Sequence, residues 1–332
     1  MKVLVTGGGG FLGGAIVRKL LARGDTVRSF TRSAYPWLAE LGVEQVHGNL
    51  DHLPDVQTAV AGCEVVYHVA AKAGIWGRYA DFYATNVLGT KNVIAACQFA
   101  GVNRLIYTST PSVVHTGGDL EGATETLPYA TQFLAHYPAT KAIAEQAVLA
   151  ANSAELNTVA LRPHLIWGPG DPHLIPRVLA RAKTGKLRRI GTRPVKVDVT
   201  YVDNAADAHL LAADRIANCA GKAYFISNDE PLLLWDFLNR ILVGAGLELV
   251  TRSIPLGVAK AGAFALEKVY RLLRLRAEPP TTRFVVSQLS TSHWYDISAA
   301  KRDLGYTPIV SMEEGLKRLT ASLCSGSPSF PT

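Results

Sequence analysis

The sequence predicts an α/β fold built on a doubly wound parallel sheet, and three observations carry that expectation. An apolar run at 2–6 breaks into glycines and is followed by a helical pattern from Phe11 to Ala22 and a second apolar run near Val27–Phe30, a β-α-β unit. Comparable units repeat: a strand at Val65–Val69, a helix around Asn86–Ala100, a strand at Arg104–Thr108, a helix from Pro138 to about Asn152 and a strand at Asn157–Arg162. After Gly168-Pro169-Gly170 the pattern turns irregular, with loops, short strands and two long helical stretches.

The glycines after the first strand give the second step. Gly7, Gly10 and Gly13 follow G-x-x-G-x-x-G spacing between strand and helix, which allows a tight turn and close approach of backbone N–H groups, those of Phe11 and Leu12 included, to a pyrophosphate. A dinucleotide is therefore the expected ligand. Residues 1–168 are read as mainly the dinucleotide-binding domain and 169–323 as mainly a smaller, interwoven substrate-binding region, with segments near Asn204 and Tyr224 returning to the sheet. Residues 324–332 are read as a flexible tail.

At the end of the second strand a carboxylate would bind a ribose 2′-hydroxyl, but the residues there are Phe30, Thr31, Arg32 and Ser33. Arg32 suits a 2′-phosphate, with Thr31 or Ser33 adding a hydroxyl. NADP(H) is the expected cofactor, with NAD(H) the alternative.

Composition limits the other classes. The 332 residues are 48% hydrophobic and 18% charged, enough for a core without staples. Cys63, Cys97, Cys219 and Cys324 show neither disulfide nor zinc-site spacing, so a reducing compartment and no metal site are expected. The first strand begins at Lys2, leaving no room for a signal peptide, and no apolar run reaches the roughly 20 residues of a spanning helix. A cytoplasmic protein is expected. The net charge is +7, and its densest basic stretch, Arg177 to Lys196, lacks interleaved aromatics. It reads as a solvated surface, with an anion site as the alternative and no nucleic-acid partner expected.

Tyr137-Pro138-Ala139-Thr140-Lys141 begins a helix, with proline in its first turn. Tyr137 and Lys141 stand at i and i+4 and share a face. An ammonium beside a phenol lowers the phenol's pKa, making Tyr137 a proton donor to a carbonyl under reduction.

With these residues in place, the chain resembles the extended short-chain dehydrogenase/reductases, which join a Rossmann domain to a smaller C-terminal substrate region. Further matching segments are His68-Val69-Ala70-Ala71, Asn86-Val87-Leu88-Gly89-Thr90, Tyr107-Thr108-Ser109-Thr110, Arg162-Pro163 and Tyr201-Val202-Asp203-Asn204. The resemblance implies that Thr110 is the third catalytic hydroxyl, where the family often has serine; Ser109 and Ser112 are its neighbours. It also implies cofactor contacts at Asn49, Leu50, Ala70, Pro163 and Leu165. Asn86 is read either as a helix N-cap or as ordering the tyrosine, His68 as a structural strand-end residue, and Arg162 as organising the loop after its strand.

The substrate follows by the same resemblance. Sugar dehydratases of this kind place Asp-Glu after the catalytic threonine, whereas Thr110 is followed by Pro111-Ser112. Epimerases carry a carboxylate after the second strand, which is absent here. The branch that fits holds 3β-hydroxysteroid and sterol-4-carboxylate dehydrogenases and the bacterial 2-alkyl-3-oxoalkanoate reductases of long-chain olefin biosynthesis, the latter through Ala73-Gly74-Ile75-Trp76-Gly77 and the run Tyr107–His115. It implies NADPH-dependent reduction of a bulky 3-keto acid to the 3-hydroxy acid. The alternatives are a steroid or sterol dehydrogenase, a nucleotide-sugar enzyme and a non-catalytic NAD(P) redox sensor. A homodimer, a multienzyme assembly and peripheral membrane contact are further expectations.

An apolar ligand agrees with the stretch 256–275. A helical projection sets Lys260, Glu267, Lys268, Arg271 and Arg274 opposite a wide apolar face with Leu256, Leu266, Val269, Leu272 and Leu273. That face reads as packed on the protein, or as a lid, a partner surface or an interfacial helix. Trp76, Thr110, Trp167 and Tyr201 are the substrate-contact candidates, with Trp294 beside them.

Overall fold

A computed structural model of the chain describes residues 1–275 and 277–325. Its centre is a seven-stranded sheet. The first five strands in chain order are β1 (Lys2–Thr6), β2 (Thr26–Thr31), β3 (Glu44–His47), β4 (Val65–His68) and β5 (Arg104–Thr108). With Asn157–Pro163 and Lys222–Ile226 they lie in the order Lys222–Ile226, Asn157–Pro163, β5, β4, β1, β2, β3, and every pairing is parallel.

The strands read as unbroken apolar runs because both faces of the sheet are covered. Val3 and Val5 enter one buried cluster with Ile16 and Leu20 of the first helix, Phe11–Ala22, whereas Leu4 enters the other with Phe30, Val66 and Leu105. Alternation along each strand therefore supplies two cores, and burial of each such side chain stabilises the fold by about 1.5–3 kcal/mol. A second, four-stranded sheet has the order Leu232–Leu233, Lys196–Val197, His293–Tyr295, Leu120–Ala123.

The two segments expected to return to the main sheet behave differently. Tyr224 lies in the edge strand Lys222–Ile226, but Asn204 lies in a helix, Val202–Asp214, packed on the first helix with Lys19 paired to Asp207 at 2.8 Å. The reason is local. Asn204 is fully buried and its amide donates to Asn228 Oδ1 at 2.9 Å and to the Val310 carbonyl at 2.8 Å, while its oxygen accepts from the Ile309 and Val310 N–H groups at 3.0 and 2.9 Å. One side chain thus closes the chain's C-terminal part onto this helix.

The helix within 256–275 spans Leu256–Leu272 and follows the projection only in part: Lys260, Lys268 and Arg271 are exposed and Leu256 and Leu266 half-buried, but the apolar and charged faces exchange members. Ala263 and Glu267 face inward, whereas Val269, Leu272 and Leu273 are exposed. The inward carboxylate of Glu267 accepts from Arg283 N at 2.7 Å and from Arg283 Nε at 2.9 Å, which satisfies its charge where an apolar side chain was expected. Of the residues read as a tail, Cys324 and Ser325 end the helix Met312–Ser325, and 326–332 lie outside the described residues.

Asn204→Ala should lower stability by roughly 2–4 kcal/mol, because the N–H groups of Ile309 and Val310 lose their acceptor together. Urea unfolding of the variant beside the parent measures this directly.

Candidate active site

The glycine loop and the Tyr137 helix meet across the C-terminal ends of β1, β4 and β5. Gly7 takes φ +72°, and a Cβ there would come within 3.0 Å of the Ala70 backbone. Gly13 is the strictest position, since a Cβ would lie 2.1 Å from the Gly7 carbonyl. Gly10 is the N-cap of the first helix and brings no side-chain bond to its first turn. Tyr35 lies across the loop, with its ring where a Gly9 Cβ would be, and is held by Gln45 through its N–H at 2.9 Å and its carbonyl at 3.1 Å. Sequence reasoning missed Tyr35; only its place four residues beyond β2 signals it.

Arg32 is exposed just after β2. The Thr31 hydroxyl donates to the Ser33 carbonyl at 2.8 Å, so Thr31 is committed to turning the chain and is not the free hydroxyl expected. Asn49 N donates to Asp55 Oδ2 at 2.9 Å, and the Leu50 carbonyl accepts from Asn92 Nδ2 at 2.8 Å.

A buried hydrogen-bond chain joins the two halves, and its directions follow from the donors. The Thr6 hydroxyl oxygen accepts from the N–H groups of Val69 and Ala70, both at 3.1 Å, and its proton goes to His68 Nδ1 at 2.8 Å. His68 Nε2 then donates to Thr90 Oγ1 at 3.0 Å, and Thr90 donates to the Asn86 carbonyl at 2.6 Å. Burial brings His68 down to about 3, so the ring is neutral. Asn86 sits inside the helical turn Tyr83–Leu88 rather than capping a helix. Its side chain accepts from Lys72 N at 2.7 Å and donates to the Lys72 carbonyl at 3.1 Å and to Thr140 Oγ1 at 3.0 Å, which clamps one loop to the Tyr137 helix.

That helix is His136–Ala150. Tyr137 hydrogen-bonds Thr110, and burial pushes its phenol up to about 12 with the Thr110 bond opposing. Thr110 Oγ1 also accepts from Ser112 N at 3.3 Å, so it caps the turn Pro111–Val113 as well as meeting the tyrosine. Lys141 Nζ donates to the Thr108 carbonyl at 2.6 Å and lies 4.0 Å from the centre of the Tyr107 ring. Burial brings Lys141 down to about 7, against the pull of Glu145. The expectation that Lys141 depresses the Tyr137 pKa is therefore corrected here: burial outweighs it, and the phenol stays protonated.

Glu145, one turn beyond Lys141, was not read from the sequence. It is fully buried, accepts from Arg162 Nη2 at 2.5 Å and Nε at 3.1 Å, and takes the Tyr129 hydroxyl at 2.7 Å. Arg162 thus braces the Tyr137 helix rather than only the loop after its own strand. In that loop Leu165 takes φ +42°. His164 beside it contacts Asp198 Oδ1 through Nδ1 at 2.5 Å and His293 Nδ1 through Nε2 at 3.1 Å. His293 Nε2 donates to the Gln288 carbonyl at 2.9 Å, so its Nδ1 is the acceptor for His164 Nε2. Pro163 is the last residue of its strand, at the start of this braced turn.

The substrate candidates divide. Trp76 is half-buried at the rim, donates through Nε1 to the Leu275 carbonyl at 3.3 Å and packs edge-on against Tyr270. Trp167 and Tyr201 are core residues, ring centres 5.3 Å apart beneath Gly315, and offer no surface to a ligand. Trp294 stands on the smaller sheet with Gly122 against its ring.

Comparison with known proteins places this geometry. The model of the 3-beta hydroxysteroid dehydrogenase/isomerase family matches residues 4–256. A 2-alkyl-3-oxoalkanoate reductase of Stenotrophomonas maltophilia is 54% identical over 97% of this chain and 99% of its own length. The mouse sterol-4-alpha-carboxylate 3-dehydrogenase, decarboxylating, is 39% identical over 97% of this chain and 90% of its own. Among solved structures, UDP-glucuronic acid 4-epimerase from Bacillus cereus in complex with NAD aligns with a TM-score of 0.76 over 98% of this chain and 99% of that one at 22% identity, a likeness of fold.

Protonation sets the acid limit of this site. His68, His209 and His293 stand at about 3, 4 and 3 when folded and near 6.5 when unfolded, so below about pH 6.5 the unfolded chain binds protons that the folded one does not. Their stabilisation is complete above that pH and is lost as pH falls towards the folded values. Unfolding free energies measured between about pH 7 and pH 5.5 should fall with an uptake of about four protons, since burial also brings His115 down to about 4, roughly 1.4 kcal/mol per pH unit for each once the unfolded ring is charged. His209→Asn should remove one proton from that slope.

Proposed function

The chain belongs to the 3-beta hydroxysteroid dehydrogenase/isomerase family, an oxidoreductase family, and from that premise we propose that it reduces a bulky hydrophobic 3-keto acid, a 2-alkyl-3-oxoalkanoate, to the 3-hydroxy acid with NADPH. The observation that carries the reading is the Thr110–Tyr137 hydrogen bond on the Lys141 helix, opposite the glycine loop, in a chain 54% identical along nearly its whole length to a reductase of that name. Residues 1–168 supply most of the dinucleotide site and 169–323 most of the substrate side.

The residues present fit the cofactor. Gly7 and Gly13 stand where side chains would collide with backbone, Gly10 brings no side chain to the first turn of the first helix, and Arg32 is exposed beyond β2 in the absence of a carboxylate. Gly7, Gly10, Phe11 and Leu12 would hold the pyrophosphate, Arg32 the 2′-phosphate, Asn49, Leu50 and Ala70 the adenosine side, and Pro163 and Leu165 the nicotinamide side. The bound nicotinamide supplies the hydride. Tyr137, kept protonated by burial, gives its proton to the carbonyl oxygen as that oxygen gains charge. Thr110 orients and stabilises the same oxygen. Lys141, brought to about 7, can restore the proton to the phenolate or hold the ribose as an ammonium.

Cofactor oxidation followed with long 2-alkyl-3-keto acids, 3β-hydroxysteroids and UDP-sugars tests the substrate class, with turnover expected on the keto acids. Turnover of sugars or steroids alone would overturn it, and no turnover of any substrate would favour a redox sensor. Tyr137→Phe should lower kcat roughly 100- to 10,000-fold with cofactor binding retained; a fully active variant sinks the proton-donor role. Arg32→Ala should raise the Kd of NADPH roughly tenfold and leave that of NADH unchanged, as read by fluorescence titration. Equal losses for both would refute the phosphate contact.

A further inference from the structure

The helix Leu256–Leu272 leaves an apolar stripe in the open. Val258, Ala265, Val269 and Leu272 fall on one side at helical spacing, and Leu273 continues the line. Val258 is 62% exposed, Leu272 82% and Leu273 60%. The opposite side is already used, because Ala263 and Glu267 pack it towards the helix Arg283–Ser290. From Val258 to Leu272 the stripe is about 21 Å long, more than scattered surface apolarity accounts for.

Its charge surroundings are one-signed. Between 249 and 275 the exposed ionised residues are Arg252, Lys260, Lys268, Arg271 and Arg274, and the single carboxylate, Glu267, is buried against Arg283. Lys260, Lys268 and Arg271 follow one border of the stripe. The parallel pairing of Ser253–Ile254 with Arg189–Ile190 brings the chain's basic stretch beside the same helix.

We propose that this face docks the protein onto the surface of an anionic lipid bilayer. The apolar stripe enters the acyl boundary, and the basic side chains extend their stems along it with their charges at the lipid phosphates. A second copy of the chain fits poorly, because a two-fold contact through this face sets the cationic border of Lys260, Lys268 and Arg271 against its own copy. Spanning is excluded, since among the described residues no helix is long and apolar enough to cross a membrane. Trp76, bonded to the Leu275 carbonyl and packed on Tyr270, lies at the C-terminal end of the same helix, so on the proposed function an apolar substrate enters beside the docked face. That consequence rests on the proposed function; the docking does not, and its test uses no catalysis.

Full-length protein is sedimented with vesicles of phosphatidylcholine, with and without phosphatidylglycerol, at low and high salt. The protein should pellet with the anionic vesicles and be largely released from them by salt. Val269→Glu/Leu272→Glu, at exposed positions, should partition about tenfold more weakly or less, with unchanged circular dichroism and melting. Lys260→Glu/Lys268→Glu should lose the preference for the anionic lipid. Protein that stays in the supernatant with anionic vesicles at low salt overturns the proposal, as does equal binding by Val269→Glu/Leu272→Glu. Self-association in sedimentation velocity that Leu272→Glu abolishes would assign the face to a second copy and overturn it too.

Discussion

The relative placement of the glycine loop and the catalytic helix depends on one buried hydrogen-bond chain through His68. Thr6 lies at the end of β1, His68 at the end of β4, and Thr90 and Asn86 on the helical segment that leads to Thr140. Every donor in that chain has an acceptor, so reversing one member would leave a buried group unpaired at a cost of about 1–3 kcal/mol. A neutral ring is required for this, since a second proton on His68 would face the Thr6 hydroxyl proton. Burial, with Lys141 adding to it, keeps that proton off. Burial is thus the main cause that neutralises the histidine and Lys141 adds to it, and the geometry between loop and tyrosine is set by this hydrogen-bond chain.

Lys141 carries the opposite cost. A buried ammonium is unfavourable, and its pKa falls to about 7 because Glu145 offsets only part of the loss of water. Glu145 is shared with Arg162 and Tyr129, so its charge is spread before it reaches the lysine. If Glu145 were free of Arg162, Lys141 would hold its proton more firmly and return it to the tyrosine less readily. The ion pair therefore serves poise as well as bracing, which is a reason to keep a buried pair that contributes little to stability by itself.

The strands, the glycine loop and the tyrosine–lysine spacing were legible because each is a local pattern: period-two burial on a doubly covered sheet, a turn that only glycine tolerates, and residues one helical turn apart. β3 was not read, because Glu44–His47 is a half-exposed edge without an apolar run. Glu145 and the second role of Asn86 were missed for a different reason. Their partners, Arg162 and Thr140, are distant in sequence, and nothing local distinguishes a buried carboxylate with an arginine from a solvated one. Trp167 and Tyr201 were misplaced because aromatic character reports a need for cover without saying whether protein or ligand provides it.

The helix Leu256–Leu272 shows the same limit in its sharpest form. Periodicity finds an apolar stripe but cannot say which side the fold buries, and here a single ion pair decides. Glu267 and Arg283 satisfy each other inside, which lets alanine-sized contacts such as Ala263 close the interior and turns Val269 and Leu272 outward. An outward apolar face obtained this way is a stable feature of the packing, since righting the helix would strand the Glu267 carboxylate in water's absence or break its pair. The polar interior and the apolar exterior of this helix are therefore one constraint: the charge that was expected in solvent is what holds the hydrophobic surface open.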